Sequence, residues 1–348
     1  MKRALVAACL LCISVAAFAG LADAFSAGVA AMKAGDNSAA AADFRAAAQR
    51  GDARAQAMLG AMYHDGLGVP QDYAKAAKWC RLAAAQNIAP AQNNLAAMYH
   101  DGLGVPQNYS EAAKWYRLAA QQGIAPAQIN LGVMYAKGQG VPQDYAKAMK
   151  WWRLAAQQGN AVAQGILGVM YDKGQGVPKD YAKAMKWWRL AAQQGNAYAQ
   201  FNLGDIYYLG QGVPQDYGEA VQWYRLAAQQ GFAIAQYDLG RINYLGEGVP
   251  QNYGKTMKWW RLAARQGNAD AQIGLGAMYG TGQGVSQDYV ETYKWRELGK
   301  ATLKPRSVDN KINDSALSAL ANVMTPAQIA QAQQEASTWW AAHHKGGN

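Results

Sequence analysis

The stretch YHDGLGVPQDY, residues 63–73, decides the fold because the chain repeats it. Thirty-six residues later the sequence reads YHDGLGVPQNY, and five further copies follow at the same spacing. Both glycines and the final tyrosine stand in all seven copies, whereas the His-Asp pair is kept only in the first two. The repeated feature is therefore a turn and not a reactive pair. A fixed period of this length predicts stacked helical repeats whose apolar faces cover one another.

Each copy has the pattern of two helices. The copies begin at Ala53, Ala89, Ala125, Ala161, Ala197, Ala233 and Ala269. Small and apolar residues at helical spacing fill the first helix, which the glycines end, and an Asp or Asn caps the second. Three copies carry a capping-box pair there: Asn108 with Glu111, Asp216 with Glu219, and Asp288 with Glu291. Pro90 and Pro126 fit a first helical turn, because the N–H groups of that turn have no acceptor within the helix and the N–H that proline lacks is not needed there.

The motif AQINLGVMYAKGQGVPQDYAKAMKWWRLAAQQGN, residues 127–160, resembles the Sel1-like repeat, a relative of the tetratricopeptide repeat. The resemblance covers residues 53–300, and residues 37–51 align with a second helix, as half a repeat. It implies an all-α, right-handed α-solenoid of helix hairpins that serves as a binding scaffold without catalysis. Some cysteine-rich members are linked to β-lactam binding, but this chain lacks their paired cysteines.

The remaining segments flank the repeats. Residues 1–19 are typical of a signal peptide, with Lys2 and Arg3 before an apolar run, and cleavage after residue 24 is the alternative. We therefore expect a periplasmic or secreted protein. Cys80 would then be the single cysteine of the mature protein, which excludes an intramolecular disulfide. We assign N-terminal helices and the half repeat to residues 20–52, and a linker with capping helices to residues 301–348.

The bulk composition limits the choice of partners. Hydrophobic residues make up 51% of the 348, enough to bury a large core, and the formal net charge is +10. Basic residues recur on the second helix, as at Lys147, Lys150 and Arg153, which predicts a basic outer surface. Such a surface permits contact with acidic polysaccharide or a membrane surface. We expect no nucleic acid partner for an exported protein, no cofactor, and a monomer.

The first helix of each copy has a constant and a variable side. Counted from the first Ala of each copy, positions 3, 4, 7, 8 and 11 hardly change. Because successive residues of a helix are about 100° apart, these positions cluster on one side of it. The variable side turns aromatic in copies five and six. The candidate ligand-binding residues are Tyr198, Phe201, Asn202, Asp205, Tyr208, Tyr237, Arg241 and Tyr244.

These candidates resemble a binding hot spot, where aromatic and Arg side chains supply much of the energy. Because adjacent helices pack roughly 8–10 Å apart, we expect one contiguous patch with Asp205 and Arg241 at its centre. Two alternatives remain open. The C-terminal tail, which carries Trp339 and Trp340, covers the patch, or the rings only pack on each other.

Three other patterns have both a structural and a functional interpretation. Asn94, Asn130 and Asn202 share position 6, where an amide could bind a peptide backbone or could simply suit the helix. The tryptophans at 79, 115, 151, 187, 223, 259 and 295 recur every 36 residues and are predicted to be core wedges. His64, Asp65, His100 and Asp101 could hold zinc, but their spacing matches no single-loop site and favours solvated helix ends. We predict no metal site and no catalytic residue.

The sequence favours a non-enzymatic scaffold or adaptor of the cell envelope or secreted space. It would bind a protein or peptide through the concave face that the resemblance assigns to the first helices. A scaffold for exopolysaccharide export would use the same aromatic residues to stack sugars. A β-lactam-type hydrolase is disfavoured, because a catalytic nucleophile and its base should occur at one place in the sequence, and we find no such unique pair. A spacer without a ligand is the purely structural alternative.

Overall fold

The computed structural model describes residues 22–303 and 308–343, which form 18 helices and no strand. The protein divides into two compact units, residues 1–180 and 181–348. The predicted signal peptide 1–19 and the linker at 304–306 lie outside the described residues. No helix in the described ranges is long and apolar enough to cross a membrane.

The first unit is a succession of nine described helices, each packed against the next. They are α1 (Ala22–Lys33), α2 (Asn37–Gln49), α3 (Ala53–Asp65), α4 (Tyr73–Ala85), α5 (Ala89–Asp101), α6 (Tyr109–Gln121), α7 (Ala125–Lys137), α8 (Tyr145–Gln157) and α9 (Ala161–Lys173). The hairpin α1–α2 precedes the first repeat, and its buried rings Phe25 and Phe44 begin the core.

The second unit also contains nine described helices. They are α10 (Tyr181–Gln193), α11 (Ala197–Leu209), α12 (Tyr217–Gln229), α13 (Ala233–Leu245), α14 (Tyr253–Arg265), α15 (Ala269–Thr281), α16 (Tyr289–Thr302), α17 (Val308–Ala321) and α18 (Pro326–His343). From α10 to α16 each helix packs on the next, and both α17 and α18 pack on α16. The prediction of an all-α fold of stacked helix hairpins is confirmed in both units.

The turn inside each repeat is set by its caps. The first helix of repeat two ends at Gly102, which has a left-handed φ of 71°. Asn108 caps the next helix by accepting a hydrogen bond from the N–H of Glu111 at 3.1 Å. The Asn108 N–H in turn donates to the Tyr99 carbonyl at 2.8 Å, so the turn is tied back to the first helix. The predicted caps are therefore confirmed, but the capping-box role of Glu111 is wrong because Tyr99 satisfies that donor. Glu111 instead pairs with Lys114.

The second glycine of the turn has a different task from the first. Gly104 lies against the first residue of the preceding second helix, and a Cβ there would stand 2.1 Å from the Tyr73 carbonyl oxygen. Gly68 has the same relation to Asn37, the first residue of α2. Helix α2 thus takes the place of a second helix, as the alignment of residues 37–51 predicts. This glycine lets one repeat seat on the one before it.

Alanines make up much of the core, and each repeat adds several larger buried side chains. In repeat four the constant positions of the first helix are buried, and Val162 on the variable side is 53% exposed. The prediction of a constant packing face is confirmed. The predicted tryptophan wedge is wrong by one position in repeats one to six, where the residue after the tryptophan is buried instead: Trp151 is half-buried, whereas Trp152 is 4% exposed. The prediction is confirmed in repeat seven, where Trp295 is 8% exposed. Lysines cover the half-buried rings, as Lys114 does at 5.8 Å from the Trp115 centroid.

Candidate functional site

The candidate residues lie on α11 and α13, the first helices of repeats five and six. We define the aromatic patch as Tyr198, Phe201, Asp205, Tyr208, Tyr237, Arg241 and Tyr244. Tyr198 is 47% exposed and so is the most accessible of its rings, while the other members are half-buried. Ile234 occupies the position of Tyr198 one repeat later and is 48% exposed. The patch therefore has accessible apolar side chains above a half-buried base.

Phe232 organises one end of the patch. Its ring centroid lies 5.3 Å from that of Phe201 and 6.2 Å from that of Tyr198, the latter edge-on. Phe232 is also the N-cap of α13, where its ring makes no capping hydrogen bond. Repeat five begins instead with Asn196, which caps α11 through the N–H of Ala199 at 2.9 Å. At α13 an aromatic contact has replaced a helix cap.

Asp205 is anchored to the second helix of its own repeat. The Tyr224 hydroxyl donates to Asp205 Oδ1 at 2.6 Å, and the Tyr224 ring lies 5.7 Å from the ring of Phe201. Burial, followed by the charge of Asp205, raises the pKa of Tyr224 far above its ordinary range. The phenol therefore stays protonated and remains a donor that fixes the carboxylate.

Arg241 is held by α13 itself and by repeat five. Its Nε lies 3.3 Å from Asp238 Oδ1, and its Nη1 donates to the Tyr208 hydroxyl at 3.0 Å. The guanidinium also lies 4.7 Å from the centroid of the Tyr208 ring. Tyr208 extends this hydrogen-bond network, since its hydroxyl donates to Glu247 Oε2 at 2.8 Å. Arg241 thus pairs with Asp238, and Asp205 accepts from Tyr224.

Burial governs the charge at this centre. It raises the pKa of Asp238, and the positive charge and hydrogen bond of Arg241 offset part of that increase. The Asp238 and Arg241 side chains are 15% and 31% exposed, so their ion pair is partly removed from water. A partly buried pair is screened less by salt than a surface pair. The patch therefore presents a fixed, oriented cation beside its rings.

Trp260 supports the other end of the patch. The rings of Tyr237 and Tyr244 stack on it with centroids 6.0 and 5.6 Å away. The indole N–H of Trp260 donates to the Tyr237 carbonyl at 3.0 Å, and the Tyr244 hydroxyl donates to Gln283 Oε1 at 2.9 Å. Burial also raises the pKa of Tyr237. These contacts hold both tyrosine rings in one orientation.

The C-terminal helices lie on the last repeat. The ring of Trp339 on α18 packs edge-on against Trp295 of α16 at 5.7 Å, and Lys294 bridges to Glu335 at 3.2 Å. Helix α17 reaches the neighbourhood of the patch, because its Ile312 shares a cleft with Tyr237. The part of the tail that adjoins the patch is thus α17, and its approach leaves Tyr198 accessible.

The three asparagines at position 6 make contacts within the protein. Asn94 is buried and accepts from Asn93, and Asn130 donates to the Tyr116 hydroxyl at 3.2 Å. Asn202 donates to the carbonyl of Tyr198 one turn earlier at 2.6 Å. Each of these amides already has a partner, so they favour the structural interpretation over a shared peptide clamp.

Each histidine of the two His-Asp pairs contacts the aspartate that follows it in the sequence. His64 Nδ1 lies 2.7 Å from Asp65 Oδ1, and the equivalent distance from His100 to Asp101 is 2.6 Å. Each imidazole also packs edge-on against the tyrosine that begins the following helix. Within the described ranges no three His, Cys, Asp or Glu side chains converge as a metal site would require.

In the first unit the arginine of each second helix is also engaged. It donates to the tyrosine hydroxyl eighteen residues later, at the end of the next first helix: Arg45 to Tyr63, Arg81 to Tyr99, Arg117 to Tyr135 and Arg153 to Tyr171 in the first unit, at 3.0–3.2 Å. The predicted basic row therefore includes side chains that connect consecutive repeats.

Sequence reasoning missed Phe232, Asp238, Glu247 and Trp260, which shape the patch. Phe232 carries a signal of its own, since an aromatic residue stands where several other copies have a capping Asn. The sequence does not single out Trp260, because the equivalent position is also Trp in repeats three and four, which have no such patch. Asp238 and Glu247 carry no signal, because their role depends on where the Arg241 and Tyr208 side chains turn.

Comparison with known proteins identifies the repeats. The family model described as Sel1 repeat matches residues 53–88, 89–124, 125–160, 161–196, 197–232, 233–268 and 269–297. The chain belongs to the Sel1 repeat family. Sel1 repeat proteins are generally scaffolds that mediate protein–protein interactions, and the present protein is a Sel1 repeat scaffold suited to such interactions.

Two solved structures are similar to this chain. A Sel1 repeat protein from Oxalobacter formigenes is 38% identical with a TM-score of 0.62, over 66% of this chain and 95% of that one. A protective antigen of uropathogenic Escherichia coli that displays an SLR fold is 28% identical with a TM-score of 0.47, over 93% of this chain and 84% of that one. No curated protein sequence matches this one. The Oxalobacter structure thus supports the Sel1 fold.

Proposed function

We propose that this Sel1 repeat protein is a non-enzymatic adaptor that binds a protein or peptide through the aromatic patch. The observation that carries the proposal is the accessible Tyr198 and Ile234, 47% and 48% exposed, which lie in the first turns of the two helices whose aromatic patch holds the oriented Arg241 cation. Large rigid rings beside an arginine are the composition of binding hot spots. The predicted signal peptide leads us to place this activity in the periplasm or outside the cell.

The way in which the patch is held supports binding. Tyr208 bonds to Glu247 and Arg241, and Tyr244 bonds to Gln283. Side chains fixed before a ligand arrives lose little conformational entropy when it binds. Asp205 in the patch accepts from Tyr224, and Asp238 beside the patch pairs with Arg241, so both carboxylates hold other side chains in place. The geometry therefore favours recognition over catalysis.

The test is photo-crosslinking in living cells from a photoreactive amino acid at position 234. The matched control carries the same amino acid at position 162, because Val162 holds the equivalent position in repeat four and is 53% exposed. We expect a discrete protein adduct from position 234 that is absent from position 162. It should disappear when Tyr198→Ala and Arg241→Gln are combined, provided that circular dichroism shows an intact fold.

Three outcomes contradict the proposal. Equal adducts from both positions, or an adduct that survives the double substitution, would mean that the patch does not choose the partner. Adducts to polysaccharide in place of protein would assign the same rings to sugar stacking and would favour the glycan alternative.

A further inference from the structure

A cleft of about 250 Å³ adjoins the aromatic patch. Its walls include Tyr237 and Trp260 from repeat six, Ile273 and Arg296 from repeat seven, and Ile312 and Asn313 from α17. Tyr237 belongs to both the cleft and the patch. A ligand that lies across the patch can therefore continue into the cleft without leaving the surface of the second unit.

Arg296 stands where other repeats bury an aromatic ring. The equivalent residue is Trp152 in repeat three and Trp260 in repeat six, both almost fully buried. Arg296 is half-buried, and burial lowers its pKa because the charged guanidinium loses water. Among residues 22–303 and 308–343, no carboxylate forms an ion pair with it, and one guanidinium bond to a protein acceptor is found, from Nη1 to Asn313 Oδ1 at 3.1 Å. A guanidinium has five N–H donors, so most remain available to an acceptor from outside.

Asn313 fixes the position of this cation. It is 1% exposed, accepts the bond from Arg296, and donates its own amide to the Arg296 carbonyl at 2.9 Å. A buried asparagine satisfied on both sides by one residue makes the arginine and α17 a rigid unit. The cleft is thus a built site and not a gap between loosely packed helices.

Apart from the Asp270 side chain, the other walls are apolar. Trp260 and Ile273 lie on the repeat side, and Ile312 on α17 is 62% exposed at the rim. An exposed isoleucine beside two rings offers apolar area that a ligand can bury. The site therefore combines one desolvated cation with apolar walls, which suits an anionic group attached to an apolar side chain.

We propose that the Arg296 cleft binds a carboxylate of a polypeptide, with an apolar side chain next to it packed on Trp260, Ile273 and Ile312. The planar guanidinium fits a carboxylate through two parallel N–H bonds. The carboxylate belongs to the C-terminus of the polypeptide or to an acidic residue within it. This inference rests on the proposed function, because it assigns one end of the peptide that crosses the aromatic patch.

Small probes test the cleft without knowledge of the partner. The full-length protein, labelled with nitrogen-15, is titrated with N-acetyl-leucine and with N-acetyl-leucinamide, and the Trp260 indole and Arg296 Nε–H signals are followed by NMR. A charge-assisted hydrogen bond should make the free carboxylate bind about tenfold or more tightly than the amide. Equal affinity of the two, or no shift with either up to the solubility limit, overturns the proposal.

A third probe separates the two sources of carboxylate. N-acetylglutamic acid α-amide offers only the carboxylate of its side chain. Preference for N-acetyl-leucine over this probe assigns the cleft to a C-terminus, and the reverse preference assigns it to an acidic side chain. Both results support a carboxylate site.

Substitutions locate the binding. Arg296→Gln should remove the preference for carboxylate over amide. Arg265→Gln is the matched control, because it makes the same charge change on the exposed end of α14, where repeats two to five carry Gln. Asp270 also lines the cleft, so Asp270→Asn should strengthen carboxylate binding by removing a like charge and leave amide binding unchanged. A preference that survives Arg296→Gln overturns the assignment.

The results distinguish this inference from the proposed function. Carboxylate binding in the cleft without any adduct from position 234 would leave the inference standing and remove the adaptor. An adduct from position 234 that Arg296→Gln leaves unchanged, together with no carboxylate preference, would support the adaptor and overturn the carboxylate site.

Discussion

The side-chain amide of Gln230 donates to the side-chain oxygen of Gln200 at 2.7 Å. Gln200 in turn donates to the Ala192 carbonyl at 3.2 Å, and it is only 5% exposed. The same pairing over thirty residues joins Gln86 to Gln56 at 2.8 Å in the first unit. The constant glutamine of each repeat is therefore a buried connector between consecutive hairpins, which satisfies the carbonyl at the end of the helix before it.

Gln200→Leu should weaken this connection by removing both bonds at nearly constant side-chain size. The Ala192 carbonyl keeps its bond from the Gly195 N–H at 3.0 Å, so the cost is that of the two lost hydrogen bonds, about 0.5–1.5 kcal/mol each. Because repeat arrays open locally, the suitable measurement is amide hydrogen exchange over residues 197–230. Gln229→Leu, at an exposed site near the end of that segment, is the control and should change little. Equal loss of protection in both variants would contradict the connector role.

The two kinds of positive-φ glycine should respond differently to a methyl group. Gly104 and Gly123 have φ of 69° and 88°, but a Cβ at Gly123 meets nothing within 4 Å. Gly123→Ala should therefore cost about 1–2 kcal/mol, the penalty of left-handed backbone. Gly104→Ala carries that penalty and also a clash with the Tyr73 carbonyl, which adds about 1–3 kcal/mol. Thermal unfolding followed by circular dichroism compares them, and equal losses would show that Gly104 does not seat one repeat on another.

The repeat period and its caps were enough to predict the hairpins. Gly102 and Asn108 mark the ends of their helices because their preferences act through local backbone bonds. The tryptophan prediction failed by one residue because Trp151 and Trp152 lie about 100° apart on the helix, and the period alone cannot tell which one points inward. Helical phase relative to a neighbour is a tertiary property.

The candidate site was only partly predictable for a similar reason. Variation between copies marks Tyr198 and Arg241 as members of one helix face. It cannot show that Arg241 turns to Asp238 on its own helix, since an i,i+3 partner and a partner one repeat away are equally compatible with the sequence. Arg296 also escaped notice, because its consequence depends on Asn313, which lies beyond the last repeat.

The pKa of Asp238 should report how strongly Arg241 is coupled to the patch. In the folded protein burial raises this pKa above its ordinary 3.8, and Arg241 limits the increase. Arg241→Gln removes the offsetting charge, so the pKa of Asp238 should rise further, as measured by carbon-13 NMR titration of the carboxyl. Arg265→Gln makes the same charge change at an exposed site and should leave it unchanged.

The sign of the stability effect follows from the same shift. The folded protein holds the Asp238 proton more tightly than the unfolded one does, so the free energy of unfolding decreases as pH rises from the ordinary pKa to the folded one. Arg241→Gln should extend this decrease to higher pH, and Asp238→Asn should abolish it. A pH dependence that is the same in all three proteins would mean that Asp238 and Arg241 do not form a coupled pair, and the patch would then lack the fixed cation on which its binding role depends.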